Sequence, residues 1–269
     1  NNQPFCDHIS AAVGKVVLKD TTDFLSYFSP FFVKGVMKSL RFELSSNSQL
    51  ELNVPSAFVH FVSSHRPGSA LGLIRTLARK FQGEPIKLTI TDFNPITVIK
   101  DLVLILWWRV AKNKLILNHG GAVQVVVDIE QLPNLRNRVS LDESNLQLSW
   151  SVGSEDIETV IKTAKCFASA WNSSPELRSI GDIDLYTECE ITASNFYDVY
   201  HPTGSLAFGG DPEHSVIDNN LRVWDTSNLY VSSTAIFPIA GSANPGFTHL
   251  ALTERLADHL KETLQHTKL

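Results

Sequence analysis

Cysteine is scarce. The 269-residue chain holds three, Cys6, Cys166 and Cys189, far apart and with no CxxC pair. A sparse, odd count fits neither a disulfide framework nor a metal knuckle, and it leans toward a reducing compartment. Excess charge is missing too: 23 Lys+Arg against 28 Asp+Glu leave a formal net charge of -5. A mildly acidic chain lacks the basic face that a nucleic-acid partner would need. No apolar run approaches the roughly 20 residues of a membrane-spanning helix. The strongest run, Leu102 to Trp108 within Ile96–Val110, reads first as a buried helix or strand. Its second reading is a membrane-surface contact through Trp107 and Trp108, flanked by Arg109 and Lys112. No charged-then-apolar leader opens the chain, so no signal peptide is expected. Repeats and low-complexity tracts are absent. What remains, 43% hydrophobic, is ordinary globular material for one large core or two modest ones.

Several segments alternate like strands. Leu50, Leu52 and Val54 fall on one face of 50–54, and Phe58 to Val62 is β-branched and aromatic. Lys87 to Ile90 and Gly121 to Glu130 also read as strands, the latter with the apolar centre Val125–Val127. Arg138 to Leu141 and Asn145 to Trp150, split by Asp142-Glu143-Ser144, predict a hairpin. Helices interrupt these strands. Ser69 to Phe81 carries Leu71, Ile74, Leu77, Ala78 and Phe81 at helical spacing. The clearest helix spans Ser154 to about Asn172, with Ser154 as N-cap and Glu155, Asp156 and Glu158 in its first turns. Residues 172–194 are polar and turn-like and give the best internal boundary.

Beyond His201 the character changes, and Gly, Pro, Ser and Asn become dense. Tyr200-His201-Pro202-Thr203-Gly204-Ser205 sets a histidine in irregular chain. Ser215 to Asp218 and Leu221 to Val223 read as short extended pieces, and Asn228 to Val231 as a stronger strand ending in Ser232-Ser233. A coil from Ile236 to Ala243 leads to Asn244-Pro245-Gly246, followed by Leu250, Leu252, Leu256, Ala257 and Leu260. That pattern is a helix start, with Asn244 as N-cap and Pro245 at N1. The positive end of such a helix stabilises an anion. The remaining histidines, His60, His65, His119, His214, His249, His259 and His266, have no acids or cysteines at metal spacing. They read as solvated or packed, and no metal site is expected.

The ordered set His201-Pro202-Thr203-Gly204-Ser205, Val216-Ile217-Asp218, Leu221-Arg222-Val223, Asn228-Leu229-Tyr230-Val231, Ile236-Phe237-Pro238 and Ala243-Asn244-Pro245 resembles the C-terminal signature of glucose-methanol-choline (GMC) oxidoreductases. Glu130 to Asn134 with Arg138, Val139 and Leu141 resembles a substrate-domain segment of that family. Phe5-Cys6-Asp7-His8 resembles the Asp-His segment ahead of it. The resemblance implies an FAD-dependent enzyme oxidising a CH–OH group of a small sugar or alcohol. Its catalytic pair would be His201, which takes the hydroxyl proton, and Asn244, which hydrogen-bonds the same oxygen. Asparagine at the second position is similar to the pyranose-oxidase, choline-oxidase and fructose-dehydrogenase branches. Ser232, Ser233, Asn244, Pro245 and Gly246 are the implied FAD contacts. The electron acceptor is left open.

Two departures accompany the resemblance. Ser233 and Ala235 stand where many members have Asp-x-Ser, so a carboxylate contact to the cofactor is lacking. No G-x-G-x-x-G follows an opening strand, so the ADP half of FAD is expected to need a segment ahead of Asn1. The chain is accordingly expected to be a fragment or one piece of a longer protein. A lyase on the same scaffold, or an inactive interaction module, are the competing readings. The fold expected is α+β: residues 1–8 end an FAD-domain segment, 9–194 form a substrate domain with a broad, mostly antiparallel sheet and helices against one face, and 195–269 return a strand and a helix to the FAD domain. The pocket would lie between the two parts, with the sheet as its far wall.

Overall fold

The computed structural model describes residues 4–64, 68–83, 94–116, 122–142 and 145–266. In chain order its elements are β1 (Phe5–Cys6), β2 (His8–Leu18), α1 (Thr21–Phe28), β3 (Phe31–Val33), β4 (Val36–Lys38), β5 (Phe42–Glu43), α2 (Ser46–Leu52), β6 (Ala57–Ser63), α3 (Ala70–Phe81), α4 (Pro95–Ala111), β7 (Val123–Glu130), β8 (Arg138–Asp142), β9 (Asn145–Ser149), α5 (Ser154–Ser173), α6 (Pro175–Ile180), β10 (Gly181–Leu185), β11 (Phe196–Asp198), β12 (Thr203–Gly204) and α7 (Gly246–His266).

A six-stranded antiparallel sheet carries the fold, in the order β10-β2-β7-β6-β5, with β11 also paired to β2. The long strand β2 is its spine. It pairs with β7 on one edge, and on the other with β10 through its second half and β11 through its first. Side chains alternate across a strand, and here the alternation separates an oily face from a polar one. Ile9, Ala11 and Val13, Ala57 and Val59, and Val125, Val127 and Ile129 join Val160, Ala164, Phe167 and Trp171 of α5 in one buried core. The residues between them, His8, Ser10, Phe58, His60, Asp128 and Glu130, face the other way. The expected architecture, a broad antiparallel sheet with helices against one face, is the one observed.

Local expectations fared unevenly. Strands β6 and β7, the pair β8–β9 and helix α3 match their sequence patterns. The segment 50–54 is not a strand. Ser45 caps a short helix by accepting the Ser48 N–H at 3.1 Å, and Leu50 is exposed, so its alternation marks no buried face. Gly153, not Ser154, is the N-cap of α5, and Asp156 reaches back to its N–H at 2.8 Å. The polar stretch 172–194 holds α6 and the sheet strand β10, whose pairing with β2 overrides its composition. Asn228 to Val231 makes only one bridge, Arg222 to Tyr230. Left-handed residues at Leu221 (φ 65°) and Asp225 (φ 58°) bend the partner segment away before a ladder can extend. The predicted strand Lys87 to Ile90 lies outside the described residues.

A second, smaller core sits at the other end of the chain. Ile217, Leu221 and Ile236 pack against Leu256 of α7. The irregular chain 205–240 is thus held by one long helix rather than by a sheet.

Candidate active site

The loop carrying His201 is bent at three positions. Tyr200 is left-handed (φ 61°), and so are Gly204 (φ 79°) and Ser205 (φ 72°). Between them Thr203 and Gly204 pair with Cys6 and Phe5 of β1. A Cβ on Gly204 would stand 2.1 Å from the Pro4 carbonyl oxygen, so only glycine permits this approach. The pairing brings His201 beside Asp7 and His8, nearly two hundred positions earlier in sequence.

Asp7 clamps both histidines by their backbones. Its Oδ1 accepts the N–H of His8 at 2.7 Å and that of His201 at 3.0 Å. Burial raises the Asp7 pKa, and these two N–H bonds oppose the rise. The rings then meet edge to face, 5.0 Å between centroids, with Nδ1 of His201 3.2 Å from Nδ1 of His8. Nε2 of His8 lies 3.1 Å from the Ala240 carbonyl oxygen.

Those distances fix the protons. A carbonyl only accepts, so His8 carries its hydrogen on Nε2. Burial holds the His8 pKa below the usual imidazole value, so the ring is neutral near pH 7 and its Nδ1 is a bare acceptor. His201 must therefore donate from Nδ1, which leaves its own Nε2 with a free lone pair. The relay Ala240–His8–His201 orients the His201 ring and leaves one of its nitrogens able to accept a proton, in the way a carboxylate orients an imidazole elsewhere.

The loop entering α7 is fastened to the same wall. Residues 240, 241 and 242 each bond to a different strand or its approach. Ala240 bonds His8 of β2, the Gly241 N–H reaches the Glu130 carboxyl of β7, and Ser242 Oγ lies 2.5 Å from Ser56 Oγ just before β6. Burial raises the Glu130 pKa against those N–H bonds. Asn244 follows two residues later and is exposed. It is not the N-cap that its position suggested. The helix begins at Gly246, and the Pro245 carbonyl takes the His249 N–H at 2.9 Å. No direct hydrogen bond joins His201 to Asn244; the wall relates them, through His8 and Ala240. Ser232 is engaged with His249 at 3.3 Å and Thr253 at 2.7 Å, and Ser233 caps the Ala235 N–H at 3.2 Å. Among the described residues no group of His, Cys, Asp and Glu could hold a metal ion.

Farther along the polar face, Asp128 gathers three donors. Ser10 Oγ donates to one carboxylate oxygen, and His60 and Arg41 each lie 3.4 Å from the other. Arg41 also stacks on Phe58, 4.3 Å from the ring centroid. Burial alone would raise the Asp128 pKa, but the bonds from His60 and Ser10 and the Arg41 charge bring it below the usual carboxylate value. Its stabilising contribution is therefore present above the unfolded pKa and lost as pH falls through the folded one. Asp128→Asn leaves the buried Ser10 hydroxyl, the part-buried His60 and the exposed Arg41 facing a neutral amide. It is expected to cost about 2–3 kcal/mol in urea unfolding at pH 7, with a smaller difference at acid pH.

Residues 133–253, which include His201 and Asn244, match the family model for GMC oxidoreductases, C-terminal domain. Over that stretch the chain is similar to the C-terminal domain of GMC oxidoreductases. Among curated proteins it is similar to the fructose dehydrogenase large subunit of Gluconobacter japonicus, 31% identical over 155 residues, which take in 55% of this chain and 26% of that subunit. It is 39% identical over 61 residues to dehydrogenase str4 of Strobilurus tenacellus, 23% of this chain and 10% of that protein. Among solved structures, pyridoxine 4-oxidase from Mesorbium loti superposes with a TM-score of 0.52 at 14% identity, over 97% of this chain and 43% of the other. A formate oxidase variant from Aspergillus oryzae RIB40 gives 0.52 at 15% identity, over 99% and 48%. These two show the fold. The chain spans under half the length of those structures.

His8 is the site residue that no local sequence signal marks. The Asp7-His8 pair was visible in the GMC-like segment, but its partner on the His201 loop was not. Asp128 lies in a strand whose pattern marks only its apolar members, and the pairing of β6 with β7 that brings His60 to it is long-range.

Proposed function

We propose that this chain forms the substrate-facing wall and the base-carrying loop of an FAD-dependent oxidoreductase that oxidises a CH–OH group of a sugar or alcohol. The bare Nε2 of His201, armed through His8 and Ala240, carries this reading. It takes the hydroxyl proton of the substrate, a role worth about 10²–10⁴-fold in rate. The imidazolium so formed keeps its Nδ1–H on His8, so the ring does not rotate as it charges. Asn244 does not titrate; from the rim before α7 it would hydrogen-bond the same oxygen and hold it in line.

The start of α7 fits the pyrimidine edge of a flavin. Nothing lies within 4 Å of the position a Cβ on Gly246 would take, so a flat ring can approach. The N–H groups of the first turn and the exposed Asn244 amide are donors suited to an electron-rich edge. Bound there, FAD would supply the acceptor for the hydride leaving the substrate carbon. The two serines before α7 are occupied by internal bonds, so the helix start is the stronger contact of those the family pattern implies. The match to the GMC domain and the similarity to a fructose dehydrogenase support this reading.

The test is anaerobic mixing of the full-length, FAD-loaded protein with fructose, with other sugars and with primary alcohols, following visible flavin absorbance. Bleaching by at least one of them is expected. Flavin that stays yellow with all of them would contradict hydride transfer and favour the lyase reading.

His8 acts through His201 as a positioning residue, and its own signature lies in the pH profile. Burial holds the His8 pKa below the usual imidazole value, and protonating its ring at acid pH disables the relay, so the acid limb of kcat/KM is expected to be steeper than it would be without His8. In His8→Gln, whose amide can still bond Ala240 and does not titrate, the limb should be shallower than in the wild type. An unchanged limb would remove His8 from the relay.

A further inference from the structure

The run Ile96–Val110 is a helix, but it is not a buried one. Ile96, Ile99, Val103, Leu106, Trp107 and Val110 of α4 recur at helical spacing and form one stripe, each between 52% and 76% exposed. The opposite face does the packing. Trp108 clusters with Leu25 and Ile116, and the buried Asp101 accepts the Ala70 N–H at the start of α3 at 3.1 Å. Helix α4 is thus apolar on both sides, with only one side covered. Its neighbour α3 adds Ile74, Leu77 and Phe81 to the exposed set, Phe81 at 96%. An apolar surface of this extent marks a contact.

Charge says what kind of contact. In α3, α4 and the residue that caps α4, Arg79, Lys80, Lys100, Arg109 and Lys112 stand against one acid, Asp101, and that acid is turned inward. The whole chain is nevertheless acidic, at -5, so positive charge is concentrated beside the apolar stripe. Lys112 lies 5.9 Å from the ring of the half-exposed Trp107. An indole beside a basic rim suits the headgroup level of a bilayer. A second copy of the chain, meeting it face to face, would set basic rim against basic rim. No helix among the described residues is long and apolar enough to cross a membrane, so the contact lies in the plane of the interface.

We propose that the outward stripe of α4, with the exposed end of α3, docks on an anionic phospholipid surface. Apolar side chains enter the acyl boundary, and Lys100 and Lys112 meet the lipid phosphates, while Arg109, held over the Phe32 ring and bonded to Asn113, adds its charge to the rim. This proposal stands apart from the chemistry at His201.

The full-length protein is sedimented with vesicles of phosphatidylcholine alone, or of three parts phosphatidylcholine to one part phosphatidylglycerol. It is expected to pellet with the anionic vesicles, with partitioning about tenfold weaker on the neutral ones and weakened by salt. Val103→Glu/Leu106→Glu should stay in the supernatant; both positions are exposed, and circular dichroism checks the fold. Should that variant misfold, Lys100→Glu gives the same discrimination, with partitioning reduced at least about fivefold. The proposal is overturned if the wild type stays in solution with anionic vesicles, or if the folded variants pellet as the wild type does. It is also overturned if the wild type binds no vesicles and is a dimer that the double variant makes monomeric, because the stripe then serves a second copy.

Discussion

His201→Ala is expected to slow flavin reduction by about 10²–10⁴-fold while leaving the fold and the bound flavin in place. The reasons are local. His201 is half-buried on a loop whose course is set by the β1–β12 pairing and by Asp7, and neither depends on the imidazole. The ring's described hydrogen bond is the one to His8, and losing it costs about 1 kcal/mol. His8 keeps its bond to Ala240, so the loop leading to Asn244 stays tied to the wall. Added imidazole should restore part of the rate, because the space vacated beside Nδ1 of His8 accepts a ring of the same shape. The measurement is the anaerobic bleaching rate, beside a melting curve. A variant as fast as the wild type would remove His201 as the base.

Trp171→Ala is expected to take about 3–5 kcal/mol from stability. Trp171 is 1% exposed, at the centre of an aromatic group in which its ring lies within 6.1 Å of the Phe28, Phe42, Phe61 and Phe167 rings. Those phenylalanines come from α1, β5, β6 and α5, so the indole joins the helix layer to the edge of the sheet. Its Nε1–H also donates to the Gly181 carbonyl at 2.9 Å, at the first residue of β10. Alanine leaves a cavity and an orphaned carbonyl together. Trp171→Phe keeps most of the volume and should cost less than half as much. Urea unfolding measures both; a loss under about 1 kcal/mol for the alanine variant would mean that the cluster repacks.

The sequence is legible where one physical signal dominates. The apolar centre of β7 and the periodicity of α5 name their elements because burial alone decides them. The loop around His201 could be found because Pro202, Gly204 and the residues after them exclude regular structure. Long-range pairing is a different matter. Strand β10 is polar in composition and becomes a strand only because β2 offers it a free edge. His8 looks like a core histidine until β1 meets β12. Helix α4 misled in the opposite sense: an apolar run predicts burial, and this one covers itself on one side only. Hydrophobicity reports the tendency to leave water, not which partner is met.

The relay depends on the tautomers of two imidazoles, and long-range proton–nitrogen correlation of the histidine-labelled protein near pH 7 measures them directly. The predicted spectrum shows His8 neutral with its proton on Nε2, and His201 with a proton on Nδ1 directed at His8. Assignment by His8→Gln and His201→Ala would identify the two signals. If His201 carried its proton on Nε2, or if His8 were charged at that pH, the nitrogen meant to receive the substrate proton would not be bare, and the relay would be wrong.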